Sequence, residues 1–209
     1  MNYTGNNNKS LHVSVEESLK KLRTSYIDIL YVHWWDYDTS VEEIMNSLHT
    51  LITQRKVLYL VRLQVVPSSL SPDLYDPLLQ GISDTPAWVV SKANQYAKDH
   101  GKTPFCIYQG NWSIFERSFE RDIIPMARSE GLALAPWGVL AGGKIRTNAE
   151  DARRRETGEK GRTAFGTNWE RTPEEKKVCD ALEEIAKEVG TESITARMSW
   201  LPFSSLFFI

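Results

Sequence analysis

The sequence predicts an α/β fold of repeated β/α units, forming part of an eight-unit barrel, and three features carry that expectation. Short runs rich in β-branched and aromatic residues alternate with helix-length amphipathic segments. Helix-start signals of the form Ser/Thr-x-x-Glu recur along the chain. The short runs begin near Ile27, Val57, Phe105 and Leu132, so their spacings are 30, 48 and 27 residues, and removing 20 residues from the middle interval leaves 28. An even pitch of that size suits a barrel, which needs roughly 31 residues per unit, better than an open sheet with variable crossovers.

Each element has a local reason. Ser14-Val15-Glu16-Glu17 reads as a capping box, with Val15, Leu19 and Leu22 following on one helical face. YIDILYVHWW, residues 26–35, is too short and too β-prone for a helix and ends at the turn Asp36-Tyr37-Asp38, so it is predicted as a buried strand. Ser40-Val41-Glu42-Glu43 repeats the box before Ile44, Leu48, Leu51 and Ile52, and VLYL, residues 57–60, is the next strand. Thr85 as cap and Pro86 at the first helical position open AWVVSKANQYAKDH, which Gly101 ends. The strand PFCIYQG, a helix through FERDIIPMARSE to Gly131, and the strand LALAPW follow. Residues 138–171 read as a long polar, Arg-rich loop, and Thr172-Pro173-Glu174-Glu175 caps a last helix ending near Gly190.

Composition excludes several classes of function. With 25 basic against 27 acidic residues there is no field for nucleic acid or an anionic membrane, and Arg153-Arg154-Arg155 sits among Glu150, Asp151 and Glu156 as a solvated loop or helix face. Cys106 and Cys179 are too few for a disulfide framework or a zinc site, which points to a reducing, cytoplasmic setting. The tail WLPFSSLFFI is ten residues long and contains Pro202, so it does not span a bilayer as a helix.

Functional groups of parallel β/α folds gather at the carboxyl ends of the strands. Here those ends carry His33 with Trp34 and Trp35, Ser83 with Asp84, Gln109, and Trp137 with Gly138. A histidine there can hydrogen-bond a substrate oxygen, a serine and an amide can clamp a carboxamide, and a tryptophan face can stack on a flat heterocycle. A metal-dependent hydrolase using His33 and Asp36 is the competing chemistry; His12, His49 and His100 fall in a helix approach, a helix and a helix end, so no second histidine supports it.

At these residues the sequence resembles the aldo-keto reductases, and closely resembles their fungal branch of aryl-alcohol dehydrogenases and norsolorinic acid reductase-like enzymes. The motifs are SLKKLRTSYIDILYVHWWD, GISDTPAWVV, IYQGNWSIFERSFERDIIPMARSEGLALAPWGVLAGGKIRT and GEKGRTAFGTNWERT. The resemblance implies a partial (β/α)8 TIM barrel with about four of its eight strands, spanning residues 1–196, and NADP(H) as cofactor. It implies that His33 is the histidine of an Asp, Tyr, Lys and His quartet that reduces carbonyls, with Trp34 and Trp35 toward an aromatic aldehyde, ketone or alcohol. It also implies that Ser83, Asp84 and Gln109 hold the nicotinamide carboxamide, that Trp137 stacks on the ring, and that Gly138, Leu140, Gly142, Gly143 and Lys144 line the cofactor's pyrophosphate. No residue of this sequence matches the quartet's Asp, Tyr and Lys, which in the family lie on strands that would precede Met1. Residues 1–209 are therefore expected to be nearly inactive, and to self-associate through exposed sheet edges.

The resemblance runs VLYL directly into GISDTPAWVV, leaving Val61–Gln80 over. Every Val codon begins GT and one Gln codon is CAG, so these residues read as a short retained intron, and the tail after Ala196 as a second one read to a stop. An evolved gating loop is the alternative for a long insertion in a compact domain. A transcript that keeps these 60 nucleotides in most copies would contradict the intron.

Overall fold

A computed structural model describes residues 4–57, 80–160, 168–188, 190 and 191. The reading of Val61–Leu79 as an insertion, of Leu58–Leu60 as strand and of 197–209 as a non-family tail lies outside the described residues. In chain order the elements are α1 (Asn8–Leu22), β1 (Leu30–His33), α2 (Val41–Thr53), β2 (Gln80–Ser83), α3 (Ala87–Asp99), β3 (Phe105–Asn111), α4 (Ile123–Glu130), β4 (Ala133–Trp137), α5 (Asn148–Thr157) and α6 (Pro173–Glu188), with short 3-10 turns at Ser118–Glu120 and Ala141–Gly143. The strands lie in the order β1-β2-β3-β4 in one sheet, and β1 to β2 and β2 to β3 are parallel pairs. Alternation of strand and helix with each strand beside its predecessor is the predicted β/α arrangement, four units of the barrel.

The chain divides into two compact units, one of Met1–Gly110 with Ser118–Ala135 and the other of Asn111–Arg117 with Pro136–Ile209. In the first, Ile82 and Tyr108 are paired in register and buried, and Val15, Leu19, Leu51, Ile52 and Val57 form a core cluster against which Leu11, Ile27 and Leu30 pack. Buried Asn94 on α3 stitches that helix to β3, donating to the Phe105 carbonyl at 3.0 Å and accepting from the Phe105 amide at 2.7 Å. In the second unit Ile145, Leu182 and Ala186 form the core with Ile114, Phe115, Ala141 and Val178 packed on it.

Several local expectations are corrected. α1 starts at Asn8, capped by the Asn7 side chain, so Ser14 lies within the helix and its carbonyl accepts from the Ser18 hydroxyl; His12 is likewise helical. Asparagine is as good a cap as serine, and the earlier signal wins because it adds nearly two turns of helix. α3 starts at Ala87, and the Thr85 hydroxyl donates to the Ser83 carbonyl instead of capping. The helix expected through FERDIIPMARSE is a 3-10 turn followed by α4 from Ile123. Inside the expected loop 138–171 lies α5, capped by Thr147, whose arginines pair with acids one turn earlier: Arg154 with Glu150 at 2.6 Å and Arg155 with Asp151 at 3.2 Å. The boxes at Ser40 and Thr172 do start helices: Ser40 accepts from the Glu43 amide, and Thr172 and Glu175 cap reciprocally. Of VLYL, Val57 makes an isolated parallel bridge to Ile27. Gln80, assigned from the sequence to the end of the interruption, is the first residue of β2 and 1% exposed.

Candidate active site

The register brings three of the sequence-identified residues into one row. His33 pairs with Ser83 and Ser83 pairs with Gln109, and His33 and Ser83 are the last residues of β1 and β2. Paired residues of neighbouring strands share a face and lie about 4.8 Å apart, so an imidazole, a hydroxyl and a carboxamide are presented side by side at one end of the sheet. Ser83 is buried, Gln109 half-buried and the His33 side chain 57% exposed, a gradient that runs from core to open rim.

The residues immediately after β1 and β2 both adopt positive φ, Trp34 at 60° and Asp84 at 47°. For a bulky tryptophan this is a strained conformation, and it is held by continuation of the hydrogen-bond ladder one step past the strands: the Trp34 amide donates to the Ser83 carbonyl and the Asp84 amide to the Gln109 carbonyl, each at 3.1 Å. The turns return both side chains to His33. Asp84 Oδ2 lies 3.1 Å from His33 Nε2, and the Trp34 ring stacks on the imidazole at 4.9 Å between centroids. Trp34 is exposed and Trp35 half-buried.

One supporting residue carries no sequence signal. The Tyr108 hydroxyl donates to the Thr85 carbonyl at 2.6 Å and accepts from the Thr85 amide at 3.1 Å, fixing the backbone that follows Asp84. Burial, with a smaller contribution from the negative charge of Asp84, pushes this phenol up to about 12, so it remains a neutral donor. A core tyrosine in a strand run reads only as apolar filling until its hydroxyl partner is seen.

The second unit holds the remaining residues. Trp137 and Leu140 are exposed at 45% and 43%. Gly138 has φ 70°, a conformation strained for other residues, and a Cβ there would meet Asn111 Oδ1 at 2.4 Å and displace that side chain, so glycine is favoured. Ala141, Gly142 and Gly143 continue at φ 49°, 65° and 90°. The amides of Gly143 and Lys144 turn inward, to the carbonyls of Leu140 at 2.9 Å and Ala141 at 3.2 Å, and Lys144 Nζ is held by Glu175 at 2.8 and 3.1 Å. Burial acts to raise the Glu175 carboxyl, but hydrogen bonds from Lys144 and the Thr172 amide, with the charges of Lys144 and Arg146, together outweigh it and the group ends below its ordinary value. The cation that sequence offers to a phosphate is thus already engaged by an acid.

Arg146, 2% exposed, anchors this loop. Its guanidinium donates to the Gly143 carbonyl at 2.8 Å, the Trp169 carbonyl at 3.1 Å and Asp151 at 2.7 Å, and lies 5.3 Å from the Trp169 ring centre. Arg171 donates in turn to the Arg146 carbonyl at 3.0 Å. Burial acts to raise the Asp151 carboxyl, yet hydrogen bonds from Arg146 and Arg155 and the charge of Arg171 hold it down at about 2. The sequence marks Arg146 only as one of many charges near a glycine pair.

Chemically, the first unit offers a buried hydroxyl and an amide beside a carboxylate-bound imidazole, a donor and acceptor set that matches a planar carboxamide; the exposed Trp137 offers a face for a flat ring. Asp36, the other member of the competing metal reading, is engaged elsewhere: it accepts from the Asn6 amide, the Asp38 amide and the Thr39 hydroxyl. Among the described residues no helix is long and apolar enough to cross a membrane.

Similar proteins agree with the fold. The chain is 55% identical to an aryl-alcohol dehydrogenase [NADP(+)] of Phanerodontia chrysosporium over 93% of its own length and 46% of the relative's. It is 54% identical to a putative aryl-alcohol dehydrogenase of Saccharomyces cerevisiae over 93% of this chain and 60% of that one. Norsolorinic acid reductase B of Dothistroma septosporum is 50% identical over 91% of this chain and 42% of the relative. The chain spans about half the length of the curated relatives it matches. The family model described as "Aldo/keto reductase family" matches residues 1–60 and 79–202, a span that includes the His33-Ser83-Gln109 row, the Trp137 strand end and the glycine loop. On that match and that geometry, the chain belongs to the aldo/keto reductase family.

Proposed function

We propose that this chain carries the nicotinamide end of an NADP(H)-dependent oxidoreductase acting on aromatic aldehydes and ketones or on aryl alcohols, in a cytoplasmic setting and in fungal secondary metabolism. The observation that carries the proposal is the register row His33-Ser83-Gln109 with Asp84 on the imidazole. Ser83, Asp84 and Gln109 hold the carboxamide, Trp137 covers the ring, and Gly138, Leu140, Gly142, Gly143 and Lys144 run beside the phosphates. Bound there, the nicotinamide supplies or accepts a hydride. His33 orients the substrate oxygen while Asp84 holds its Nε2. Trp34 and Trp35 contact the aromatic part of the substrate.

Residues 1–209 taken by themselves hold the orienting histidine without the Asp, Tyr and Lys of the family quartet, so they lack the general acid, a loss typically of about 10²–10⁴-fold. With β1 and β4 at the two ends of the strand order, the same residues self-associate. The test joins this chain to the preceding β/α units of the Phanerodontia relative. NADPH-dependent reduction of an aromatic aldehyde is expected from the joined protein, negligible turnover and an elution volume above monomer mass from residues 1–209. In the joined protein His33→Ala is expected to lower kcat by about 10²-fold with little change in NADPH affinity. Full activity of residues 1–209 as a monomer, or an unchanged kcat in the variant, would contradict the assignment.

A further inference from the structure

We infer that Asp84 sets the preference of the site between the oxidised and reduced cofactor, favouring the cationic nicotinamide and making the bound reduced form the stronger hydride donor. The inference rests on the proposed placement of the carboxamide at Ser83, Asp84 and Gln109. Oxidised nicotinamide carries a positive ring charge and the reduced ring carries none, so a fixed carboxylate beside it attracts one form and is nearly indifferent to the other. The Asp84 side chain is only 24% exposed, its backbone N–H donates a hydrogen bond to the Gln109 carbonyl, and its neighbour Thr85 is clamped by Tyr108, so the charge does not swing away into solvent. Its field reaches its surroundings: Asp84 is among the causes that raise the Tyr108 phenol.

Stabilising the oxidised ring at equilibrium shifts the bound reaction toward carbonyl reduction. A nicotinamide held here would supply the hydride, and Asp84 would lie beside the ring in the charged form that hydride loss leaves, the proton for the carbonyl oxygen having to come from the general acid of the complete family quartet. The site is therefore a reductase site that holds its oxidised cofactor more tightly than its reduced one.

Asp84→Asn tests this cleanly. Asparagine tolerates the positive φ of this position and keeps a hydrogen bond to His33, while removing one unit of charge whatever else the carboxylate touches. Residues 1–209, wild type and variant, are titrated with NADP+ and with NADPH by calorimetry, with circular dichroism confirming the same fold. The wild type is expected to bind NADP+ more tightly than NADPH, and the variant to lower that ratio by about three- to tenfold, mostly by weakening NADP+. Equal ratios in both proteins, each binding both nucleotides, would overturn the role of Asp84 and leave the site standing. Failure of the folded wild type to bind either nucleotide would overturn the site itself.

Discussion

Replacing Arg146 by methionine is expected to destabilise the fold by about 3–5 kcal/mol, because two carbonyls lose hydrogen bonds from a charged donor, each worth about 1.5–3 kcal/mol. The side chain is 1% exposed and ties three places together: Asp151 on α5, the carbonyl of Gly143 in the glycine loop and the carbonyl of Trp169. Methionine fills much of the volume, so the loss is in polar pairing. Arg155 and Arg171 still face Asp151, while the Gly143 and Trp169 carbonyls lose their donor. Lysine is a poor substitute, since one ammonium cannot reproduce a planar fork that serves three acceptors. Urea unfolding measures the difference, and a loss below about 1 kcal/mol would show that the network is ornamental to stability.

Replacing Gln80 by leucine is expected to act in the opposite direction. Gln80 is 1% exposed in β2, paired in register with Leu30 on one side and Phe105 on the other, and neither polar atom of its side chain meets a hydrogen-bond partner among the described residues. A buried amide without partners costs about 1–3 kcal/mol, and leucine of similar volume removes that cost. A gain of about 2 kcal/mol corresponds to a rise in Tm of roughly 4–8 °C for a chain of this size. In a chain that ran VLYL straight into Gly81, Leu60 would occupy this register, so the substitution restores the apolar side chain the strand calls for. An unchanged or lower Tm would show that Gln80 is satisfied by a group outside the described residues.

These two residues also mark what the sequence made legible. Alternation of short β-prone runs with capped helices identified the β/α repeat because both signals are local, and the strand ends gave His33, Ser83, Asp84 and Gln109 because a parallel sheet places them there regardless of detail. The capping box at Ser14 misled because Asn7 offers an equally good start upstream, and side-chain capping is decided by competition along the chain. α5 was hidden by its charge: with no buried residue, it has no apolar stripe, and it is held by Arg–acid pairs one turn apart and by the Arg146 network. The bracing roles of Tyr108, Arg146 and Glu175 escaped notice because each acts through a partner distant in sequence: Thr85, Trp169 and Lys144 respectively.

The central claim is that the ends of these strands bind a nicotinamide nucleotide. The most direct measurement is the amide spectrum of isotopically labelled residues 1–209 titrated with NADP+. Saturable shifts are expected at Ser83, Asp84 and Gln109 and at Trp137 through Lys144, and these should weaken in Asp84→Asn. A surface groove of about 540 Å³ lined in part by Glu16, Lys20, Arg23 and Lys56 lies away from these strand ends and serves as the control region. Shifts confined to that groove, or no saturable shifts anywhere, would contradict the account.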